Sequence, residues 1–272
     1  MEPRRRNPLR RYPTAVCISV LHFGLTPYKT RALNSPEGHT VLLKMVAHSF
    51  AFVVSLGLLL FLPAGTIAWP QAWLFMALFI GCSEAIGIWL AKSDPDLLAA
   101  RMKSPLGADQ TPRDRAVMGA ILVVFCGWLV FMALDAQRFG WSHTPWWAQA
   151  LGAALIISAF YGWVGVLKTN NFASVTLRVQ EERGHIVIST GPYAVVRHPM
   201  YAYAVLLFVG TPLLLGSLWG LLGVVLFIPL LAARVLAEET MLLDGLPGYR
   251  EYADKVRFRL LPVCGDIVTS EK

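Results

Sequence analysis

The feature that most constrains this chain is a series of long apolar stretches separated by short charged segments. Crossing the hydrocarbon core of a bilayer takes roughly 20 residues of α-helix, and the stretches 45–62, 71–91, 116–134 and 146–167 are close to that length. Of all residues 56% are hydrophobic and 15% are charged, whereas an ordinary soluble domain is about 25% charged. The sequence therefore predicts a membrane protein whose first four spans lie between residues 45 and 167.

A fifth apolar region, residues 201–233, contains no charged residue and is too long for a single crossing. Gly216 and Ser217 divide it near its middle, which predicts a tight helical hairpin with a short first arm. The predicted fold is therefore all-α. It is a multi-pass transmembrane protein with about six crossings, a C-terminal helical hairpin and a cytoplasmic C-terminal helix.

The distribution of basic residues predicts the orientation. With six crossings and a cytoplasmic N-terminus, the inside segments are 1–44, 92–115, 168–200 and 234–272, and they contain 23 of the 24 Lys and Arg residues. Lys and Arg accumulate on the cytoplasmic side of membrane proteins, so we expect an integral membrane protein with a cytoplasmic active site. Because these residues lie between apolar runs and not on one water-facing domain, nucleic acid is not expected as a partner. No feature specifies an oligomeric state.

Three regions are expected along the chain. Residues 1–44 are predicted to form a basic arm without fixed structure near anionic lipid, or to precede a true start at Met45. Residues 45–167 are the four-span membrane scaffold, and residues 168–272 are the cofactor-binding and catalytic region. Segment 92–115 is interpreted as a solvated connector, and residues 174–190 as a short β-hairpin with Gly184 in its turn. The cysteines lack CxxC spacing, so free thiols are expected, and neither disulfides nor a metal site.

Ionisable groups at membrane depth are costly and therefore mark candidate sites. Glu84 lies near the centre of the second predicted span, where it is either hydrogen-bonded between helices or part of a cavity wall. The densest group of special residues is 191–201, GPYAVVRHPMY, in which a Gly-Pro turn precedes Arg197, His198 and a proline at the start of a helix. The free N–H groups and positive dipole of such a helix end, together with Arg197, suit a carboxylate ligand.

A second cluster is predicted at the cytoplasmic end of the last span. Arg234 and Glu238 are four residues apart and share one helix face, whereas Glu239 points about 100° away. The predicted hairpin brings this cluster close to Arg197 and His198, so the sequence places a site where the two motifs converge.

The two motifs together resemble the isoprenylcysteine carboxyl methyltransferase family of membrane methyltransferases. The resemblance covers roughly residues 170–262: Gly-Pro-Tyr and Arg-His-Pro-x-Tyr within 191–201, a helical hairpin, the Glu238-Glu239 pair, and a Tyr-x-x-Tyr-x-x-x-Val segment that ends in Arg259 and Pro262. All these elements occur in the family's order.

The resemblance implies S-adenosylmethionine as cofactor and a tunnel that opens to lipid for a lipophilic or lipidated methyl acceptor, with an isoprenylcysteine-type carboxylate as one candidate. By positional match, the residues expected to line the cofactor pocket are Tyr193, Arg197, His198, Pro199, Tyr201, Glu238, Glu239, Tyr249 and Tyr252. Arg234 and Glu238 are the candidate catalytic residues, with Arg234 as an electrostatic guide for an acceptor carboxylate.

The chemistry of this cofactor suits those residue types. Glutamate can pair with its ammonium group and Arg197 with its carboxylate, and tyrosine rings attract a cationic sulfonium by about 0.5 to 2 kcal/mol. Methyl transfer is an in-line displacement, for which orientation alone can contribute roughly 7 to 11 kcal/mol.

Two other functions are compatible with the sequence. An NADPH-dependent sterol-type membrane reductase also carries an Arg-His-Pro-x-Tyr-like stretch, but it usually shows a Trp-rich stretch where this chain has Gly-Pro-Tyr. A non-enzymatic transporter or sensor could use Glu84, Arg197 and Arg234 to line a conduit, although the charges gather at one face of the membrane and not along a path.

Overall fold

The computed structural model describes residues 36–261, apart from 103, 105, 108, 109 and 176. Two compact units are distinguished, Met1–Lys44 and Met45–Lys272. Most of the predicted basic arm and Pro262 lie outside the described residues. The described residues form eight α-helices: α1 Pro36–Ala64, α2 Pro70–Ser93, α3 Pro95–Arg101, α4 Pro112–Ala133, α5 Trp146–Thr169, α6 Pro199–Leu215, α7 Leu218–Gly245 and α8 Tyr249–Lys255.

Four helical segments are long and apolar enough to cross a membrane: Pro70–Ser93, Pro112–Arg138, Trp146–Thr169 and Leu218–Gly245. Two shorter apolar helical segments, Ser49–Ala64 and Pro199–Leu215, complete the series. Together the six occupy the positions of the six predicted crossings. The all-helical, multi-pass fold is confirmed, with four segments of full spanning length and two shorter ones.

The turn of the C-terminal hairpin falls at Gly216 and Ser217, as predicted. Gly216 has φ +90°, a left-handed conformation that favours glycine. Ser217 caps α7 by accepting from Gly220 N at 2.9 Å, and its hydroxyl donates to Asp135 Oδ2 at 2.5 Å. Ser142 donates to the same oxygen at 2.7 Å, so the fully buried Asp135 ties the hairpin turn to the end of α4.

Helices α5 and α6 approach so closely that neither tolerates a side chain at the crossing. A Cβ atom on Gly152 would lie 2.4 Å from Leu214 N, and one on Gly210 would lie 2.7 Å from Gly152 O. Small residues at such crossings let membrane helices gain van der Waals contact along their length. This packing fixes α6, and with it the motif at residues 191–201, against the scaffold.

Glu84 accepts a hydrogen bond from Ser49 Oγ at 2.6 Å, which links α2 to α1. Cys82 and Cys126 are free thiols. Trp69, which directly precedes α2, is fully buried, whereas Trp141 and Trp146, near the start of α5, are exposed.

The predicted β-hairpin over residues 174–190 is wrong, since no strand occurs in the part of the chain that the structure describes. The turn itself exists: a 3₁₀ turn, Glu181–Arg183, ends at Gly184 with φ +62°. The buried Gln180 side chain donates to Phe172 O at 2.7 Å, and Gln180 O accepts from His185 N at 3.3 Å. Local hydrogen bonds at Gln180 and His185 therefore occupy backbone polar groups that would otherwise pair in a strand ladder.

The interpretation of segment 92–115 as a solvated connector holds for most of its described residues, which are exposed, but not for a few that are buried. It contains α3, whose Leu97 and Leu98 are buried, and it ends in the buried Gln110 and Asp114. Leu97 and Leu98 pack with Leu90 and Leu167. These apolar residues are too few to predict a membrane span, yet they pack α3 against the scaffold.

Candidate active site

The centre of the site is a buried carboxylate held by three basic side chains. Glu239 Oε1 lies 3.2 Å from Arg197 Nε and 3.2 Å from His198 Nε2, and Arg259 Nε donates to Oε2 at 2.8 Å. A buried carboxylate of this kind is stable because it is paired and hydrogen-bonded. Glu239 thus joins the start of α6, the end of α7 and the C-terminal segment.

The backbone reinforces the same junction. Arg197 N donates to Phe258 O and His198 N donates to Arg259 O, both at 2.9 Å. His198 is the residue at the N-terminal boundary of α6, and Pro199 begins the helix where a missing N–H costs nothing. The C-terminal segment is therefore fastened to residues 197–198 by main chain as well as by charge.

Beside this junction lies a cavity that encloses about 820 Å³, its open mouth included. Glu238, adjacent to Glu239 in sequence, lines it and is only partly buried, with a side chain 26% exposed. Tyr201 Oη donates to Glu238 Oε2 at 2.8 Å. One residue of helix rotation therefore gives the two glutamates different environments, one inside the protein and one at the cavity.

Three further tyrosines, Tyr193, Tyr249 and Tyr252, line the same cavity. Tyr252 Oη donates to Tyr193 O at 2.8 Å, and Asn170 Nδ2 donates to Tyr193 Oη at 2.8 Å. Burial raises the pKa of Tyr193 to about 12, and burial also raises the pKa of both Tyr249 and Tyr252 well above their usual range. All three are neutral phenols at physiological pH, so they offer ring faces and hydroxyls but no charge.

Another part of the wall comes from residues 170–188, which overlap the segment predicted as a hairpin. Its residues that line the cavity include Phe172, His185 and Val187. The His185 ring stacks on Phe172 with centroids 4.4 Å apart, and its Nδ1 accepts from Gln180 N at 3.3 Å. Burial first and the nearby Arg183 second lower the pKa of His185, so this part of the wall is held by a neutral imidazole.

Arg234 lies at the edge of the cavity and is itself buried. Its guanidinium forms an ion pair with Asp114 and donates to Val175 O at 2.6 Å. The partner was not predicted, because Asp114 is 120 residues away and nothing in its local sequence distinguishes it from a helix-terminal acid.

Most of the expected site residues face the cavity. They are Tyr193, Arg197, His198, Tyr201, Arg234, Glu238, Tyr249 and Tyr252. Pro199 and Glu239 do not line it; Pro199 starts α6, and Glu239 holds Arg197, His198 and Arg259 from behind. The sequence did not predict that residues 170–188 form part of the cavity wall. The alternation of apolar and polar residues in 185–190 did mark part of this segment as structured.

The cavity suits a cationic cofactor of the kind that the motifs imply. It places one partly exposed carboxylate, Glu238, among tyrosine rings, and the hydroxyl of Tyr249 is buried without a hydrogen-bond partner among the described residues. Buried polar atoms are normally satisfied, so a ligand polar group at Tyr249 would complete the site. Apolar residues such as Leu242 and Leu246 line the same space and suit a flat ring.

Comparison with protein-family models matches residues 147–245 to the phospholipid methyltransferase family. The matched part runs from the start of α5 to the end of α7 and so contains the close helix crossing, the Arg-His-Pro motif and both glutamates. A comparison with curated proteins finds no match to this chain. This part of the chain is thus similar to the phospholipid methyltransferases, a membrane methyltransferase family related to the isoprenylcysteine carboxyl methyltransferases that the motifs resemble.

Proposed function

We propose that this protein is an S-adenosylmethionine-dependent methyltransferase that acts on a lipophilic acceptor from an active site on the cytoplasmic side of the membrane. The family match supports a membrane methyltransferase with lipid-type substrates. The donor, the side of the membrane and the residue roles are our proposal.

The observation that carries the proposal is the Glu238 carboxylate in a cavity walled by Tyr193, Tyr249 and Tyr252. A carboxylate among aromatic faces attracts cations, through charge and through the ring quadrupoles. The sulfonium and ammonium of S-adenosylmethionine are such cations. NADPH would instead bring a pyrophosphate and a further phosphate, and the Glu238 carboxylate at the cavity would repel these negative charges.

In this proposal Glu238 binds the ammonium group, and Tyr201 fixes the Glu238 carboxylate through its hydrogen bond. Arg197 and His198, held in place by Glu239, present positive charge for the carboxylate of the cofactor. Tyr249 and Tyr252 pack against the remaining part of the ligand, with the Tyr249 hydroxyl as a hydrogen-bonding group. S-adenosylmethionine, when bound here, supplies a methyl group on a cationic sulfur that is ready for transfer.

Arg234 has a different proposed role from the one that its position in the sequence suggests. Since its guanidinium is occupied by Asp114 and Val175 O, we assign it to shaping the boundary of the cavity. The isoprenylcysteine-type carboxylate that the resemblance implies would have to compete with Asp114 for this charge.

The proposal is tested by ligand-dependent thermal stabilisation of the purified full-length protein in lipid nanodiscs. We expect S-adenosylhomocysteine to raise the unfolding temperature and NADPH to leave it unchanged. Glu238→Gln should weaken S-adenosylhomocysteine binding by about tenfold or more, because a hydrogen bond to a charged group contributes roughly 1.5 to 3 kcal/mol.

Gln71→Leu provides a control, since Gln71 lies at the start of α2 and bonds Gln149 away from the cavity. It should bind S-adenosylhomocysteine as the unsubstituted protein does. Stabilisation by NADPH alone would support the NADPH-dependent membrane reductase instead. Stabilisation by neither ligand would favour the non-enzymatic transporter or sensor.

A further inference from the structure

A fully buried carboxylate, Asp135, follows the end of α4 that points away from the cavity around Glu238. None of its surface is exposed. Its Oδ2 atom accepts from Ser142 Oγ at 2.7 Å and from Ser217 Oγ at 2.5 Å. Its Oδ1 atom has no hydrogen-bond partner among the described residues. The carboxylate therefore has one oxygen that two hydroxyl groups hold and one that is enclosed without a donor.

No basic side chain pairs with Asp135 in the part of the chain that the structure describes. The ion pairs found there join other residues. Arg138, the nearest basic residue in the sequence, is exposed, and its guanidinium lies against Gly65. Burying a carboxylate without an opposite charge is costly. The site therefore lacks a positive charge that a bound cation can supply.

The helix ends around Asp135 add to this negative charge. Asp135 belongs to the π-helical turn, Leu134–Arg138, that follows α4. The end of α6 lies close by, since a Cβ atom on Gly216 would be 3.8 Å from Ala136 Cβ. The C-terminal end of a helix carries roughly half a negative charge. The N-terminus of α7, capped by Ser217, opposes these two helix ends and the carboxylate with roughly half a positive charge.

The end of α6 also supplies oxygen atoms to this place. The last carbonyl groups of a helix have no partner within it. At the end of α6, Gly216 N and Ser217 N both donate to Pro212 O, so this turn gives no backbone donor to the carbonyl oxygens of Leu214 and Leu215. Both leucines are almost fully buried. Buried carbonyl groups normally have partners, which a bound ion can provide.

The chemistry of these groups suits a small, hard cation. Carboxylate, hydroxyl and carbonyl oxygens are the ligands that such ions prefer. The described residues contain no group of three or more His, Cys, Asp or Glu that could hold a metal ion, so the donors of a transition-metal site are not found there. A single carboxylate balances one positive charge, which favours Na⁺ or K⁺ over Ca²⁺ or Mg²⁺.

We propose that Asp135 Oδ1 and the carbonyl oxygens at the end of α6 bind a monovalent metal cation. Ser142 and Ser217 are positioning residues that hold the carboxylate through its other oxygen. The cation balances the buried charge and fastens the turn between α6 and α7 to the end of α4. Trp141 and His143, on either side of Ser142, are exposed, so the ion enters from the water at this end of the helices.

The test is thermal unfolding of the full-length protein in lipid nanodiscs, in NaCl, KCl or choline chloride at the same ionic strength of about 0.15 M. Choline is too large for a fully buried site. We expect Na⁺ or K⁺ to raise the unfolding temperature by about 2 to 4 °C relative to choline, the shift for a protein near this size when a ligand is present at about five times its Kd.

Asp135→Asn should abolish this difference between the salts, because it removes the charge that binds the ion. The quantity compared is the difference between salts within each variant, so a general loss of stability does not affect it. Asp94→Asn is the matched control: Asp94 caps α3, and its replacement should retain the full difference.

Ser142→Ala carries the test if Asp135→Asn does not fold. It keeps the carboxylate but removes one hydrogen bond that holds it, which corresponds to about threefold to tenfold in affinity. The difference between the salts should therefore fall by about half or more.

Several outcomes would overturn the inference. Equal unfolding temperatures in all three salts would show that no cation binds, as would a difference that Asp135→Asn retains, or that Ser142→Ala retains where Asp135→Asn does not fold. Stabilisation by about 1 mM CaCl₂ without a response to Na⁺ or K⁺ would assign a divalent ion instead. No S-adenosylhomocysteine is added in these measurements, so their result is independent of the proposed function.

Discussion

The adjacent residues Glu238 and Glu239 have different roles because consecutive side chains on a helix point about 100° apart. Glu239 points into the protein, where Arg197, His198 and Arg259 surround it. Glu238 points to the cavity and accepts from Tyr201. The same substitution at each position therefore distinguishes a residue that holds the structure from one that faces a ligand.

Glu239→Gln should strongly destabilise the protein. The change removes the charged carboxylate that pairs with the buried Arg197, and breaking a buried ion pair from one side costs about 3 to 5 kcal/mol. Unfolding of the purified protein in mixed micelles with increasing denaturing detergent measures this loss. Glu238→Gln is the matched control and should cost less than about 1 kcal/mol, because its side chain is partly exposed and glutamine still accepts from Tyr201. Equal losses at the two positions would contradict the division of roles.

His185 makes stability depend on pH. Because burial and Arg183 lower its pKa in the folded state, with Glu238 acting in the opposite direction, the unfolded chain takes up a proton before the folded protein does. The stabilising contribution is therefore present above the ordinary histidine pKa of about 6.5 and is lost as pH falls below it.

We expect the unfolding temperature to decrease between about pH 7.5 and about pH 5.5, and His185→Gln to reduce that decrease. Thermal unfolding across this range measures both slopes. His143→Gln, at an exposed position in the turn before α5, should retain the slope of the unsubstituted protein. An unchanged slope in His185→Gln would assign the effect to other groups.

At the scale of elements, the hairpin of α6 and α7 brings the two motifs together, and α5 holds the hairpin in place. The closest approach is at Gly152 and Gly210, where the backbone of one helix meets that of the other. Since α6 begins directly after Arg197 and His198, a displacement of this helix moves the site as well.

Gly152→Ala should therefore lower both stability and cofactor affinity. The new Cβ would lie 2.4 Å from Leu214 N, and relieving such overpacking typically costs about 1 to 3 kcal/mol. Gly165→Ala is the control on the same helix, since a Cβ there meets nothing within 4 Å. It should be neutral or slightly stabilising, because alanine favours helix over glycine. Detergent denaturation and S-adenosylhomocysteine titration of both variants test this.

The elements show why sequence predicted the helices better than their connections. The hairpin turn was predictable because Gly216 and Ser217 interrupt a long apolar run, and both act locally, one through a positive φ and the other as a cap. Residues 174–190 were predicted as a hairpin because apolar and polar residues alternate in 185–190 and Gly184 precedes them as a turn residue. In the structure that alternation serves to place side chains such as Val187 on the cavity, a contact that depends on distant helices.

The same contrast holds for the site. The motifs around Arg197 and Glu238 are specific enough to identify from sequence, since their unusual residues cluster at short spacing. A smaller cavity lined by Gln110 and Asp114, at the start of α4, could not be predicted, because these two residues stand in a polar segment where such residues are common. Only their burial beside Arg234 distinguishes them, and burial depends on how α4 packs against α7.

At the scale of the whole molecule, the cavity around Glu238 and the one beside Gln110 are lined mainly by segments that the pattern of basic residues predicts to lie inside. The segments predicted to lie inside hold 23 of the 24 Lys and Arg, and the exception, Arg138, ends the π-helical turn that follows α4. Lys and Arg near span ends remain on the cytoplasmic side. The cavities should accordingly open to the cytoplasm, where a soluble cofactor is available.

Accessibility of single cysteines tests this orientation in a chain whose four native cysteines are replaced. Asp254→Cys would report on the exposed face of α8, beside the cavity, and His143→Cys on the exposed turn between α4 and α5 at the other end. A membrane-impermeant maleimide should label His143→Cys in intact cells and Asp254→Cys only after the membrane is opened. Labelling of Asp254→Cys in intact cells would reverse the orientation and place the cavity away from the cytoplasmic cofactor supply. Labelling of both only after opening would contradict an odd number of crossings between the two positions, which α5, α6 and α7 together require if each crosses the membrane.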